Sequence, residues 1–291
     1  MKVTLVVNPT SGKGRAQEML PQVAGRLRDD GLDTEILLSR SFEEAVALTG
    51  GAVDRGTDVL AVMGGDGMMH LGVNACAGQD RTALALIPAG TGNDLCRGLG
   101  LPAFDPVAAA TLIGHGTVRR VDLSRVNDRW VGTVLATGFD AMVNHRANLM
   151  PWPKGGLRYP LAALAELRVF TPLTYRLTLD DEVRDLEAML VAVGNTSSYG
   201  GGMKICPRAD PTDGLLDVTI VHPVSRAKLL RLLPEMYSGR FVRESCVELT
   251  RATRVTIDGP GLVGYGDGEL IAASPLQISC HRDAIGIFLA S

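Results

Sequence analysis

Apolar residues in the first part of the chain follow two alternating patterns. Short apolar runs typical of buried strands are separated by segments in which apolar residues recur every three or four positions, as on amphipathic helices. The runs predict strands at Lys2–Val7, Asp33–Leu38, Asp58–Met63 and Ala83–Ile87. The intervening segments predict helices at Arg15–Arg28, Phe42–Arg55 and Met68–Ala77. Such alternation is typical of a mostly parallel sheet flanked by helices, so we predict an N-terminal α/β domain over residues 1–116.

The pattern changes near residue 117 to strands separated by turn residues. Asn127 and Asp128 predict a hairpin turn. Further strands are predicted at Thr174–Leu179, Ala188–Val193, Leu215–Val221, Arg254–Ile257 and Gln277–His281, and helices at Leu157–Phe170 and Arg226–Ser238. We therefore predict a larger antiparallel β-sandwich domain over residues 117–291, and leave open whether its final strand returns to the first domain.

The composition argues against several classes of protein. The 291 residues are 46% hydrophobic and 21% charged, as in an ordinary globular protein. The formal net charge of −3, the 4% aromatic content and the lack of a basic block argue against a nucleic-acid partner. The five cysteines are widely spaced and form no metal-binding pattern. No apolar run reaches the ~20 residues of a membrane span, and we expect a cytoplasmic protein.

Three loops marked by glycine or proline follow predicted strands: NPTSGKG at residues 8–14, GGDG at 64–67 and PAGTGND at 88–94. The first lacks the Ser or Thr that follows Lys in a phosphate-binding P-loop, since Gly14 stands there. Each loop alone could be a helix-capping turn, by Thr10 or Ser11 in the first and by Asn93 or Asp94 in the third. Together, at one sheet edge, they fit the phosphates of a nucleotide with a metal ion beside Asp66.

The chain resembles a known family in five segments that occur in the same order. These are the three loops, GGGMKICPRADPTDGLLDV at residues 200–218 and DGE at 267–269. The chain is similar over nearly its whole length to bacterial diacylglycerol kinase-like lipid kinases. It is also related to ceramide and sphingosine kinases and, more distantly, to NAD kinases and phosphofructokinases. The resemblance implies a nucleotide domain, a β-sandwich domain and a site in the cleft between them.

The resemblance also implies ATP and Mg²⁺ as cofactors and assigns residues to roles. Asp66 would act with Mg²⁺ or the acceptor hydroxyl, Glu269 would be the general base, and Asp122 would belong to a hydrogen-bonded site network. From local sequence alone, Glu269 fits a solvated position after an Asp-Gly hairpin turn equally well. The implied ATP-binding residues are Asn8, Pro9, Thr10, Ser11, Gly12, Arg40, Gly64, Gly65, Asp66, Gly67, Met68, Thr91, Asn93 and Asp94.

The DPTDGLLD loop is the implied site of a structural Mg²⁺, held by the Asp213 side chain and by the backbone carbonyls of Asp210 and Leu215. Its spacing does not match a calcium-binding helix-loop-helix, and solvated acids in a turn are the alternative. The chain also departs from its relatives after GGDG. They have a threonine, a polar residue and a glutamate where Met68, His70 and Leu71 stand, which puts the rate and the nucleotide preference in question.

The expected acceptor is a diacylglycerol-like or sphingoid lipid at a membrane surface. Leu157, Leu161, Leu164 and Ala165 share one face of a predicted helix, either as core or as a contact for acyl chains. Lys154 and Arg158 would favour peripheral attachment to an anionic inner-membrane surface. Two alternatives remain: a kinase of a soluble metabolite resembling NAD, and a nucleotide- or lipid-binding regulator without turnover. A homodimer is also left open.

Overall fold

The structure is a computed structural model, and it describes residues 1–150, 152, 158–168 and 170–290. The first part alternates strands and helices as predicted. Its strands are β1 (Lys2–Val7), β2 (Asp33–Leu38), β3 (Val59–Gly64) and β4 (Ala83–Pro88). Its helices are α1 (Arg15–Asp29), α2 (Phe42–Asp54), α3 (Asp66–Cys76), α4 (Asp94–Gly98) and α5 (Pro106–His115), with a 3₁₀ turn at Ser11–Gly14.

The second part is dominated by antiparallel strands. They are β5 (Thr117–Val126), β6 (Arg129–Val131), β7 (Val134–Gly138), β8 (Leu173–Leu179), β9 (Glu182–Ala188), β10 (Leu190–Gly194), β11 (Leu216–Val221), β12 (Val247–Ala252), β13 (Arg254–Asp258), β14 (Val263–Gly266), β15 (Glu269–Ala273) and β16 (Leu276–Leu289). Its helices are α6 (Phe139–Leu149), α7 (Arg158–Leu167) and α8 (Arg226–Ser238), with a 3₁₀ turn at Arg240–Arg243.

Two sheets organise the chain. The first has the strand order β2-β1-β3-β4-β16-β13-β8-β9, with β5 and β6 attached through β16. Strands β1 to β4 pair in parallel, whereas β16 pairs antiparallel with β13 and β5. The final strand also contacts the parallel half of the sheet, where Ile287 pairs with Leu84 of β4. The second sheet is antiparallel, in the order β12-β11-β10-β7-β14-β15.

The buried apolar residues form separate layers on the faces of the two sheets. Helices cover both faces of the parallel half, with Leu5 and Ile87 in one core and Leu60 and Leu84 in the other. The second sheet packs against the antiparallel half of the first through apolar residues such as Val191 of β10. Helices α6, α7 and α8 cover the outer face of the second sheet. The predicted fold class, an α/β part followed by an antiparallel sandwich, is therefore confirmed.

Several elements differ from the sequence prediction. Strand β16 has 14 residues, whereas a strand was predicted only at Gln277–His281. A register shift between His281 and Ile285, with Asp283 at φ 49°, interrupts the alternation that identifies a strand. Strands β9, β12, β14 and β15 and helices α5 and α6 were not predicted. Among the residues described, no helix is long and apolar enough to cross a bilayer.

Candidate active site

The three glycine loops meet at the carboxyl ends of β1, β3 and β4, and they pack backbone against backbone. A Cβ added to Gly12 would lie 2.0 Å from the carbonyl oxygen of Ala89, and Gly12 has φ +61°. A Cβ added to Gly90 would lie 2.5 Å from the Cα of Gly65. The glycines are therefore needed first for the contact between loops, because any side chain at these positions would push the loops apart.

Asp66 begins helix α3 at the end of the GGDG loop. Its carboxylate accepts the backbone N–H of Asn93, which precedes α4, at 3.1 Å and that of Asp94, the first residue of α4, at 2.6 Å. Burial raises the pKa of Asp66 and the nearby negative charge of Asp267 adds to the effect, although the two N–H donors act in the opposite direction. Asp66 thus caps a short helix from a neighbouring loop while it lines the cleft.

Asp94 connects the two halves of the molecule. Its carboxylate accepts the backbone N–H groups of Gly201 and Gly202, each at 2.8 Å, from the glycine loop of the second part. Burial, reinforced by the charge of Asp66, raises the pKa of Asp94 to about 6. Two neighbouring acids with raised pKa values favour the approach of a proton or a cation.

The alternative prediction, that side chains of the first and third loops cap the helices that follow them, was wrong. Neither Thr10 nor Ser11 provides a side-chain cap, because Thr10 instead donates its hydroxyl to Asn8. Asn93 precedes α4, but its side-chain amide bonds to the backbone of Gly90 in its own loop and to the carbonyl of Ala103 beyond α4. The Asn93 side chain is fully buried and does not reach the cleft, so the predicted contact to ATP would have to come from its backbone.

A buried histidine–aspartate pair, which the sequence analysis did not find, forms part of the cleft wall. His70 Nδ1 lies 3.0 Å from Asp267 Oδ2, and Asp267 also accepts from the backbone N–H groups of Gly132 and Thr133 and from the Thr133 hydroxyl. Burial alone favours the neutral acid, but the hydrogen bonds from His70 and Thr133 outweigh it and hold the pKa of Asp267 below its ordinary value. The pair ties helix α3 to the β14–β15 turn.

Glu269 follows that turn at the start of β15. Asp267 and Gly268 have φ values of +53° and +86°, which is the backbone of a tight Asp-Gly hairpin turn. The turn expected from the sequence is therefore present, yet it does not leave Glu269 far from the loops. A Cβ added to Gly67 would lie 3.4 Å from Glu269 Oε1, so the carboxylate lies against the GGDG loop.

A cleft of about 640 Å³ lies between the two parts of the chain. Its polar lining includes Lys13, Asp66, His70, Thr91, Asp94 and Asp267. Its far wall comes from the second part and includes Val134, Ala136, Asn144, Tyr199, Tyr237 and Tyr265. A polar end close to the glycine loops and an aromatic, partly apolar end across from it suit a phosphate donor and an amphipathic acceptor.

A smaller cavity of about 150 Å³ lies on the other side of the GGDG loop. It is lined by Asn8, Ser11, Ser41, Phe42, Ala45, Gly65, Gly67 and Met68. The structure therefore groups Asn8, Ser11, Gly65, Gly67 and Met68 of the predicted nucleotide-binding set. Pro9, Thr10, Gly12 and Gly64 belong to the same two loops, and exposed Arg40 directly precedes Ser41.

The three residues that depart from the family pattern, Met68, His70 and Leu71, have different surroundings. Met68 is buried and lies beneath Gly64, where an added Cβ would come within 2.4 Å of Met68 Cγ. Leu71 of α3 is buried in the apolar core on the face of the sheet that contains Leu60 and Leu84. Of the three, His70 alone brings a polar group to the cleft wall.

The DPTDGLLD loop is held to the middle of β5 by Asp122, away from the cleft lining. Buried Asp122 accepts the backbone N–H of Gly214 at 2.7 Å and that of Asp283 at 2.9 Å. Asp210 accepts from Thr212 within its own turn. Asp122 is thus neither solvated nor in contact with the cleft, and its direct role is to hold this loop against β16.

This loop offers few free oxygen ligands for a structural Mg²⁺. The Asp213 carboxylate accepts the N–H of Leu215 at 2.9 Å and lies 3.4 Å from the Arg251 guanidinium, and the Asp213 carbonyl accepts from Arg282. Among the residues described, no group of three or more acidic, histidine or cysteine side chains could hold a metal ion. The guanidinium groups of Arg251 and Arg282 already bring positive charge to the loop. The structural ion stays a prediction.

Two family models cover nearly the whole chain. The diacylglycerol kinase catalytic domain matches residues 2–126, and the YegS C-terminal NAD kinase beta sandwich-like domain matches residues 133–289. The chain belongs to the diacylglycerol kinase-like lipid kinase family. The residues of the cleft come from both domains, with Asp66 and Asp94 in the first and Asp267 in the second.

Curated relatives agree with this membership. The chain is 44% identical to "Diacylglycerol kinase" of Mycobacterium tuberculosis over 98% of this chain and 94% of the relative. It is 32% identical to "Probable lipid kinase YegS-like" of Stenotrophomonas maltophilia over 93% of this chain and 91% of that protein.

Solved structures have the same fold. A diacylglycerol kinase from Bacillus anthracis matches with a TM-score of 0.76 at 23% identity, over 99% of this chain and 96% of that chain. An NAD kinase from Archaeoglobus fulgidus in complex with ATP matches with a TM-score of 0.57 at 12% identity, over 100% and 94% of the two chains. At these identities the likeness shows the shared fold alone.

Proposed function

We propose that this member of the family transfers the γ-phosphoryl group of ATP to a hydroxyl group of a diacylglycerol-like or sphingoid lipid. The observation that carries the proposal is the cleft in which the glycine loops, half-buried Asp66 and buried Asp94 face the Asp267–Glu269 turn. Phosphoryl transfer depends on positioning and on neutralising charge, which fixed backbone donors and carboxylates beside a metal can provide.

The loop edge offers the groups that a nucleotide requires. Lys13 lines the cleft next to Gly12 and Gly14, and its charge would lie near the phosphates. The small cavity beside Gly65 and Gly67 would take the ribose or base end of ATP. In this arrangement the glycines, which already allow close contact between loops, leave the backbone accessible to phosphate oxygens.

The residues of the cleft fit Mg²⁺ only as an ion shared with the substrate. Magnesium in kinases is commonly held by one or two carboxylates together with phosphate oxygens. Asp66, whose burial raises its pKa, and the neighbouring Asp94 form an acidic pair that a cation would neutralise. When bound, the ion would reduce the negative charge between ATP and the acceptor, and Asp66 would hold it.

Glu269 would orient the acceptor hydroxyl and receive its proton. Its carboxylate lies against Gly67, so it is on the side of the β14–β15 turn that faces the phosphate loops. The His70–Asp267 pair holds that turn against helix α3 through a 3.0 Å contact. We infer that this contact limits movement of Glu269 relative to the GGDG loop, a requirement for efficient general base catalysis.

Two other functions compete with this proposal. A soluble-metabolite kinase is favoured by the fold shared with an NAD kinase, although that likeness concerns fold only. A regulator without turnover is favoured by Met68 and Leu71, which are buried apolar residues where the family pattern has a hydroxyl and a carboxylate. The apolar and aromatic wall of the cleft supports a lipid acceptor over a soluble metabolite. It fits a lipid-binding regulator equally well, and only turnover separates the two.

The test is transfer of label from γ-labelled ATP to a panel of purified lipids and soluble alcohols, with Glu269→Gln as the variant. We expect a labelled lipid product, and a loss of turnover of roughly 10²- to 10⁴-fold in the Gln variant with ATP affinity unchanged. Labelling of a soluble metabolite instead would support the second function. ATP binding without any labelled product would support the regulator, and full turnover in the Gln variant would exclude Glu269 as the base.

A further inference from the structure

The small cavity of about 150 Å³ beside the GGDG loop has apolar walls from two helices. Phe42 and Ala45 come from the start of α2, and Met68 comes from the start of α3, next to Gly65 and Gly67. A pocket that takes a whole drug-sized ligand commonly has about 300–1,000 Å³. The cavity therefore has room for one ring system of a ligand whose remainder lies outside it.

Phe42 is held at the wall of this cavity by the way in which α2 begins. Ser41 precedes the helix, and its hydroxyl accepts the backbone N–H of Glu44 at 3.1 Å. The Glu44 carboxylate in turn accepts the backbone N–H of Arg40 at 2.6 Å. This reciprocal arrangement resembles a capping box and fixes the first turn of the helix. Phe42 is the first residue of that turn and is 49% exposed, so it offers a fixed aromatic surface to a flat ligand.

Met68 brings a second apolar surface to the cavity. Its side chain lies against Gly64, since an added Cβ there would come within 2.4 Å of Met68 Cγ. Relatives have a threonine at this position, so a hydroxyl group is replaced here by an unbranched, polarisable thioether. Thioether sulfur atoms make favourable contacts with aromatic rings. The substitution therefore exchanges a hydrogen-bonding group for apolar surface that suits a ring.

The charges near the two cavities indicate which end of a nucleotide lies in the smaller one. Residues 40–44 contain one basic and two acidic side chains, a net charge of −1. Lys13, by contrast, lines the larger cleft on the other side of the GGDG loop. Phosphate groups are repelled by the acids at the start of α2 and attracted by the lysine. The uncharged base is then the part of the nucleotide that lies between α2 and Met68.

The polar side chains of the small cavity are poorly suited to selecting adenine. Asn8 Oδ1 already accepts the backbone N–H and the hydroxyl of Thr10, at 3.1 and 2.8 Å. The hydroxyls of Ser11 and Ser41 rotate and can either donate or accept. Adenine carries an amino group where guanine has a carbonyl oxygen, and strong selection of adenine requires a fixed acceptor for that group. Among the described side chains that line the cavity, none is left as such an acceptor.

We propose that Phe42 and Met68 form a base subsite that holds the nucleobase of the phosphate donor by stacking and apolar contact, and that this subsite does not favour adenine over guanine. The inference rests on the proposed function, which requires a nucleoside triphosphate as donor. It gives the methionine after GGDG a role in binding the base. The alternative is that Phe42 is an ordinary exposed apolar residue, of which folded proteins have many.

The experiment is calorimetric titration of the full chain, with Mg²⁺, against analogues of ATP and GTP in which nitrogen bridges the β- and γ-phosphates. Inorganic tripolyphosphate is the third probe, because it has phosphates but no base. The variants are Phe42→Ala, Phe42→Trp and Met68→Thr. Val46→Ala is the matched control, since Val46 lies one turn later on α2, is 45% exposed and does not line the cavity. Met68 is buried, so a melting curve checks that its variant is folded, and the variants of half-exposed Phe42 decide the proposal in either case.

We expect the parent to bind the ATP analogue less than about tenfold more tightly than the GTP analogue. Phe42→Ala should weaken the binding of both analogues by roughly tenfold, because stacking of a base on an aromatic ring contributes about that factor. Its affinity for tripolyphosphate should stay unchanged. Met68→Thr should weaken both analogues by about threefold. Phe42→Trp, which keeps an aromatic surface, and Val46→Ala should bind both analogues as the parent does.

Three results would overturn the proposal. Binding of the ATP analogue more tightly than the GTP analogue by about tenfold or more would show that adenine is selected. Unchanged affinities for both analogues in Phe42→Ala would make Phe42 an ordinary exposed residue. An equal loss of tripolyphosphate binding in Phe42→Ala would place the phosphates, rather than the base, beside α2.

Label transfer to lipid separates this inference from the proposed function. The expected pattern of affinities without any labelled lipid would support the base subsite and count against the proposed function alone. Labelled lipid from the parent, together with full nucleotide affinity in Phe42→Ala, would support the proposed function and overturn the base subsite alone.

Discussion

Replacing Asp94 by asparagine should make the stability of the protein less dependent on pH. Asp94 is buried beside Asp66, and its pKa is raised from an ordinary 3.8 to about 6. Between these two values the unfolded chain releases a proton that the folded chain keeps. Wild-type stability is therefore fully present below the unfolded pKa and is lost as the pH rises toward about 6. Above about 6 the loss is complete and constant.

The size of the loss follows from the two pKa values. One pH unit of difference corresponds to about 1.4 kcal/mol, so the interval between 3.8 and about 6 corresponds to about 3 kcal/mol. Asparagine removes this term, but its amide can accept from only one of the N–H groups of Gly201 and Gly202. That change costs about 1–2 kcal/mol at every pH. At pH 7.5 we expect the variant to be more stable than the wild type by about 1–2 kcal/mol.

The assay is urea unfolding of both proteins from pH 4 to pH 8 in the presence of a chelator, without nucleotide. Only the difference between their free energies of unfolding is interpreted, because the acids that do not interact with Asp94 contribute equally to both proteins. Asp66 does interact with Asp94, so the difference includes the loss of their mutual repulsion. Asp128→Asn, which removes an exposed carboxylate from a hairpin turn, is the control and should give a flat difference. If the Asp94 difference is also flat between pH 4 and pH 7, the raised pKa and its cause are wrong.

Three further changes test other contacts of the site. Gly12→Ala should lower the free energy of unfolding by about 2–3 kcal/mol and weaken ATP binding, because the methyl group would lie 2.0 Å from a backbone oxygen. Gly14→Ala is the control for backbone strain, since Gly14 also has a positive φ but open space around it, and equal losses of stability in the two variants would refute the steric argument. Asp66→Ala should abolish turnover and also cost about 1–2 kcal/mol of stability, since its carboxylate caps α4; wild-type turnover would remove its assignment. Asp213→Ala should remove any Mg²⁺-dependent rise in melting temperature, and a parent that melts identically with and without Mg²⁺ would exclude the structural ion.

The convergence of the glycine loops could be predicted from the sequence for a simple reason. In a parallel sheet the carboxyl ends of neighbouring strands meet at one edge, so β1, β3 and β4 bring their loops together whatever their side chains are. The contact of the Asp66 carboxylate with α4 could not be predicted in the same way. The side chain is half-buried because α4 approaches it, and a Cβ added to Gly92 of the third loop would lie 2.4 Å from Asp66 Oδ2. No local pattern around residue 66 indicates that approach.

The His70–Asp267 contact could not be read from the chain because it joins residues 197 positions apart. Asp267 occupies the position of an Asp-Gly turn, and such residues are usually solvated. Here the hairpin folds back so that Gly132 and Thr133 surround the carboxylate. The available signal was a histidine at a position where relatives carry a different polar residue, since a buried histidine requires a partner.

The three substitutions after GGDG can be understood together through the charge of the cleft. Asp66 and Asp94 already have raised pKa values, which means that the folded protein holds their negative charges at a cost. A glutamate in place of buried Leu71 would add another acid on the same helix, whereas His70 offers a hydrogen-bond donor to Asp267. Both changes lower the electrostatic cost of the cleft when it holds no cation. The same changes leave fewer oxygen ligands for an ion, so in this chain Asp66 and the phosphates of the nucleotide would have to supply more of its coordination.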